Sequence, residues 1–261
     1  MCFDLDSAPP IPHLHGGSVT HRDLVLTSAD GNSFAAFEAD SGGGVGVVVL
    51  PDVRGLYSFY EELCLRLAEH GTTAVAIDYF GRTAGVAKRS DDFDYMPEVR
   101  ATTLVGVTED VTAAIDHLRS ADPERKVFVI GFCFGGSNSW YMAAADLGLA
   151  GAIGFYGHPD RSGFPIGAPP VITVARDFSC PVLALQGGND PGIPIEADEG
   201  FRAAMAEAGV DGEVVVYPNA PHSFFDRKYE DFADESADAW MRVIRFLGLS
   251  EAPGHPTDDS V

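Results

Sequence analysis

Residues 45–50 read VGVVVL, a run with no polar residue and no alternation. It is too short for a stable helix, and its unbroken, β-branched apolarity marks a strand covered on both faces. Such a strand sits inside a parallel sheet, and parallel strands need long crossover connections, which are usually helices. The rest of the chain meets that demand. The strand-like stretches TAVAIDY, KVFVIGF, GAIGFYG, CPVLALQGGND and EVVVYPNA follow in order. Between and after them, helical periodicity predicts helices near 57–70, 98–120, 196–208 and 233–247, with another opening after Gly136. Ahead of them, RDLVLTSADGNSFAAFEAD predicts two strands joined at the turn DGN. The expected class is α/β, a mostly parallel central sheet with helices on both faces, as one domain over residues 21–249. Residues 1–20 and 250–261 are rich in Pro and Asp and read as flexible ends. The segment HPDRSGFPIGAPPVITVARDF is long and Pro-rich with few helix or strand signals, the kind of connection that borders a binding site.

Composition narrows the function classes. The 39 acidic and 17 basic residues give a net charge of −22. A surface of that sign repels phosphate backbones and anionic membranes, which argues against nucleic-acid and membrane partners. No apolar run approaches the roughly 20 residues that span a bilayer, and the N-terminal residues lack the pattern of a signal peptide. The expected location is the cytoplasm. Cys2, Cys64, Cys133 and Cys180 are widely spaced, so neither a metal knuckle nor a disulfide framework is expected. His13 and His15 form a pair without further ligands nearby and read as terminus. No metal and no cofactor are expected. The partner is a small molecule, and the protein a monomer or homodimer.

In a sheet of this type ligands sit beyond the carboxyl ends of the strands, so the residues that follow each strand carry the information. After VFVI comes GFCFGG with Cys133; after VLALQGG comes Asp190; after VVVYPNAP comes His222. A nucleophile, an acid and a histidine therefore appear in the chain order of an α/β-hydrolase, with cysteine inside the G-x-nucleophile-x-G turn. Side chains at Gly131 or Gly135 would collide with neighbours in so sharp a turn. The backbone N–H of Phe134 becomes one oxyanion donor. His222 takes and returns the proton, and Asp190 orients it. Singly, each has a plainer reading: His222 as a loop residue, Asp190 as a turn or cap residue.

Together, GFCFGG, DYFGR, GFYG, GGNDPGIP and APHSFF resemble the dienelactone hydrolases, over roughly residues 23–247. These are α/β-hydrolases with a Cys-Asp-His triad that open cyclic enol-lactones bearing a carboxylate. The resemblance implies that Asp52 contacts and activates Cys133, although it is one methylene shorter than the usual glutamate. The plainer reading of Asp52 is a solvated loop carboxylate. Val53 matches the second oxyanion donor, through its N–H. Arg82 matches one of two arginines that bind the substrate carboxylate, its plainer reading being an ordinary salt bridge. The position of the second arginine holds Asp226, with Arg227 one place later; Arg227, Arg54 and Arg161 are candidate replacements. Tyr156, in GFYG, is a further substrate-binding candidate.

The reading is a cofactor-free, cysteine-dependent hydrolase of a lactone or activated ester that works through a thioester. A thiolate leaves an amine adduct readily, which disfavours amide substrates. The alternatives are a sister esterase or lactonase of a secondary-metabolite pathway with another substrate, favoured by Asp226, or a non-catalytic ligand-binding or thiol-sensing protein on the same scaffold.

Overall fold

The computed structural model describes residues 8–14, 18–90 and 92–249. Eight strands form one sheet in the order β1-β2-β4-β3-β5-β6-β7-β8. The strands are β1 Thr20–Thr27, β2 Ser33–Asp40, β3 Val45–Leu50, β4 Thr72–Ile77, β5 Lys126–Phe132, β6 Gly151–Phe155, β7 Val182–Gly187 and β8 Gly212–Tyr217. The hairpin expected at DGN is β1–β2, and β2 also runs antiparallel to β4. From β4 to β8 every pairing is parallel.

The run that opened the argument is β3, held between β4 and β5 with Val48 opposite both Val75 and Val129. Successive side chains of a strand point to opposite faces, and β3 divides accordingly. Val47 and Val49 join the core formed with α1 (Ser58–Glu69) and α7 (Ala233–Phe246), through Phe59, Leu63, Val243 and Ile244. Val48 and Leu50 join the other core, with α4 (Leu104–Arg119), α5 (Phe134–Ala144) and α6 (Ile195–Ala208), through Val111, Ile115, Trp140 and Phe201. All four β3 side chains are fully buried. Each contributes about 1.5–3 kcal/mol relative to exposure, which is why the sheet centre tolerates no polar residue.

One helix expectation needs correction. The stretch 98–120 is two helices, α3 (Tyr95–Ala101) and α4, broken at Thr102 and Thr103. Thr102 adopts an extended backbone (ψ 134°), and the Thr103 side chain caps α4 by accepting from the Gly106 N–H at 3.1 Å. The freed groups find distant partners: Ile166 N–H donates to Thr102 O and Leu104 N–H to Ile166 O, both at 2.9 Å. The apolar periodicity runs through this break, so it is invisible to a reading of hydrophobic spacing. A short helix, α2 (Gly81–Ala84), follows β4.

Of the expected flexible ends, residues 1–7, 15–17 and 250–261 lie outside the described residues. Within the first twenty, Ile11 is buried in the α1–α7 core, and His13 bonds to Arg66 and, at 3.3 Å, to Glu69. The Pro-rich connection after β6 contains two 3-10 turns, Val171–Thr173 and Ala175–Asp177.

Candidate active site

The turn after β5 is as tight as its glycines require. A Cβ on Gly131 would stand 1.9 Å from the carbonyl oxygen of Gly135, and one on Gly135 would stand 2.1 Å from that of Leu50. Between them Cys133 has φ 55° and ψ −110°, a left-handed conformation that costs a non-glycine residue about 1–3 kcal/mol. The surroundings hold it there. Its N–H donates to Phe155 O on β6 at 2.9 Å, and its carbonyl accepts from Ser137 N–H at 3.2 Å. Cys133 is half-buried, whereas Cys64 and Cys180 are buried. Burial pushes the Cys180 thiol up to about 11 and the Cys64 thiol higher still, so these two behave as core residues. Cys2 lies outside the described residues.

Asp190 and His222 follow the neighbouring strands β7 and β8. Asn189 N–H donates to Ala220 O at 2.9 Å and Gly188 N–H to Tyr217 O at 2.8 Å, so the two loops are tied together by their backbones. His222 Nδ1 meets Asp190 Oδ2 at 2.6 Å, and Asp190 Oδ1 accepts from Gly192 N–H at 2.8 Å. Burial alone would raise the Asp190 carboxyl. The hydrogen bond and charge of His222, with the Gly192 N–H, outweigh it and hold the carboxyl below its ordinary range. On its other side the His222 ring packs on Tyr156, centroids 4.9 Å apart.

Tyr156 is fully buried, with φ 37°, just beyond β6. Its hydroxyl donates to Asp226 Oδ2 at 2.7 Å. Asp226 is 1% exposed and also accepts from the Arg227 N–H. Burial raises its carboxyl to about 8, against these two hydrogen bonds, and the charge of Asp52 adds to the rise.

Cys133 lines a cavity of ≈ 220 Å³ together with Val53, Phe134, Ser137, His158 and Arg161; Met96 and Phe164 complete the wall. Ser137 lies one helical turn beyond Cys133, and its Oγ accepts from His158 N–H at 2.8 Å. Burial, then the charge of Arg161, holds the His158 imidazole below its ordinary value, and the charges of His222 and Asp190 reach it too. His158 therefore links the Cys133 cavity electrostatically to the His222–Asp190 pair.

Asp52 is not a solvated loop carboxylate: it is fully buried, its Oδ1 accepts from Arg54 N–H and its own N–H donates to the Tyr60 hydroxyl, each at 2.9 Å. Arg54 is buried with its guanidinium 4.2 Å from the Tyr57 ring centroid. Arg82 does not line the Cys133 cavity; it pairs with Asp110 at 2.8 Å and with Asp30. Arg227 is exposed. The reading from sequence missed Met96, Ser137, His158 and Phe164. Helical spacing from Cys133 points to Ser137, and His158 and Phe164 belong to the Pro-rich segment expected to border a binding site, whereas Met96 has no local signal.

The sheet order, the strained turn after β5 and the paired acid and histidine after β7 and β8 define an α/β-hydrolase. The model of the dienelactone hydrolase family matches residues 34–250, and the chain belongs to that family. It is a hydrolase of the dienelactone hydrolase type. The carboxymethylenebutenolidase of Rhodococcus opacus is 28% identical to it, over 95% of this chain and 96% of that protein. Among solved structures, a dienelactone hydrolase-like promiscuous phosphotriesterase from metagenomic libraries superposes with a TM-score of 0.73 at 25% identity, covering 90% of this chain and all of that one. The esterase of Pyrococcus furiosus, at 18% identity and a TM-score of 0.67, covers 94% of this chain and 98% of its own and shares the fold.

Proposed function

We propose that the chain hydrolyses a lactone or activated ester through a covalent thioester on Cys133. The observation that carries this reading is the half-buried thiol, held at φ 55° on a cavity wall just beyond β5, together with the His222–Asp190 pair in the loops just beyond β7 and β8. In this reading His222 removes the thiol proton through Nε2, because Nδ1 is engaged by Asp190. The sulfur attacks the carbonyl carbon, and the carbonyl electron pair moves to oxygen. The N–H groups of Phe134 and Val53 receive that oxyanion, helped by the N-terminal end of α5. The C–O bond breaks as the tetrahedral adduct collapses, and imidazolium gives its proton to the leaving group, which returns the imidazole to its neutral form. Water, activated by the same imidazole, then attacks the thioester, releases the acid and restores the thiol. Asp52 serves here through shape: its Oδ1 on Arg54 N–H fixes the turn that carries Val53.

A second reading is a sister esterase or lactonase whose substrate lacks the family's acidic group. It is favoured by Asp226 at the place of an anion-binding arginine and by Arg82 being held by Asp110 and Asp30. The test compares wild type with Cys133→Ala on a carboxylate-bearing dienelactone and on a neutral activated ester. Expected is loss of at least 1000-fold in kcat on both, roughly the weight of a nucleophile. A thioester adduct should appear by mass spectrometry in wild type alone. Full turnover by Cys133→Ala would end the reading. So would faster cleavage of an anilide than of the matched lactone.

A further inference from the structure

Both positions from which the resemblance draws anion-binding arginines are otherwise occupied. Arg82 is off the cavity wall, its guanidinium committed to Asp110 and Asp30, and the other position holds Asp226, buried beneath Tyr156. The cavity nonetheless has a cation. Of the residues that line it, Arg161 alone carries a fixed charge, among walls otherwise built by Val53, Met96, Phe134 and Phe164. The Arg161 guanidinium lies 4.5 Å from the centroid of the Phe164 ring, which gives it a flat support and a preferred direction. Both residues belong to the Pro-rich segment after β6, whose backbone is bonded to the α3–α4 break through Ile166.

We propose that Arg161, on the segment after β6, is the anion subsite of this enzyme in place of the β4 and His222 loops: it binds a carboxylate of the substrate. This assignment rests on the hydrolase reading above. The chemistry favours it on three grounds. A guanidinium offers a carboxylate two parallel N–H donors, which a lone charge does not. The net charge of −22 disfavours any acidic ligand, so its binding depends on a local cation at the cavity. And Asp226 is not among the residues that line the cavity, while burial raises its carboxyl well above the ordinary range and so favours its neutral form.

The experiment uses the full chain, an enol-lactone carrying an exocyclic carboxylate, and the same lactone with that group as a primary amide. Wild type, Arg161→Gln, Arg161→Lys and Cys133→Ala are compared by kcat and KM at pH 7. Expected for Arg161→Gln is a roughly 10- to 100-fold rise in KM for the acid, with kcat and the amide's constants within about twofold of wild type. Arg161→Lys should recover part of the loss. Equal KM changes on both lactones, or no change on either, would overturn the assignment, as would a wild type without preference for the acid; Cys133-dependent turnover of the amide would then leave the hydrolase reading standing. Absence of turnover on both lactones by wild type overturns the two together.

Discussion

At the scale of single residues, the most consequential departure from expectation is Asp226. The sequence places an acid where the resemblance implies an arginine, but its burial and its bond to Tyr156 are long-range facts, the partner lying 70 positions away. Its folded pKa of about 8 stands above the ordinary 3.8, so the folded state holds the proton more tightly than the unfolded one. Stability from this group is therefore greatest below pH 4 and is lost as pH rises toward 8. Asp226→Asn imitates the neutral acid. Thermal melts should show the variant near wild type at pH 4 and more stable at pH 9, by roughly 2–5 kcal/mol. A stability difference that stays flat between the two pH values would show that Asp226 is ionised throughout. Cys133 is the opposite case. The turn that holds it was legible because the glycines around it are local, and a turn made by five consecutive residues leaves its mark in five consecutive letters.

At the scale of elements, the strands were legible and one helix boundary was not. Buried parallel strands announce themselves by unbroken apolar runs, and β3, the part of β5 after Lys126 and the part of β7 before Gln186 are such runs. The break between α3 and α4 depends instead on Ile166, more than 60 residues downstream, accepting and donating across it. The Thr103 hydroxyl on Gly106 N–H supplies the local half of that boundary. Thr103→Ala should cost about 1 kcal/mol by denaturant unfolding, the usual weight of an N-cap. Thr103→Ser should cost less, because it keeps the acceptor oxygen. Equal losses in the two variants would mean that the methyl group, and not the cap, holds the boundary. The break matters to the site because α3 carries Met96 to the cavity wall, a placement that a single continuous helix would not give. Arg82 shows the same limit from the other side. Its position in the chain was legible, whereas its direction was set by Asp30 and Asp110, contributed by the β1–β2 turn and by α4.

At the scale of the whole molecule, two properties pull in different directions. The central strands of the sheet are buried on both faces by separate apolar cores, which stabilises it irrespective of solvent ions. The net charge of −22 repels itself and lowers the stability of the compact state. Salt shortens the range of that repulsion, from a Debye length of about 14 Å at 0.05 M to about 4 Å at 0.5 M. Tm should therefore rise by roughly 3–6 °C over that range. A fall in Tm would mean that surface ion pairs such as Arg242–Glu213 outweigh the repulsion. No helix among the described residues is long and apolar enough to cross a membrane.

The backbone tie between the loops after β7 and β8 has a consequence for how this centre could be altered. Asp190 and His222 are registered to each other by Asn189 N–H on Ala220 O, and the thiol is registered separately, by its own amide on Phe155 O. In the proposed reading the proton-handling pair and the thiol are thus held by different backbone bonds, and they meet at Phe155–Tyr156, where Tyr156 packs on His222. In that reading, exchanging sulfur for oxygen at residue 133 touches none of the bonds that hold His222 to Asp190, so a single substitution changes the proposed nucleophile without rebuilding its base.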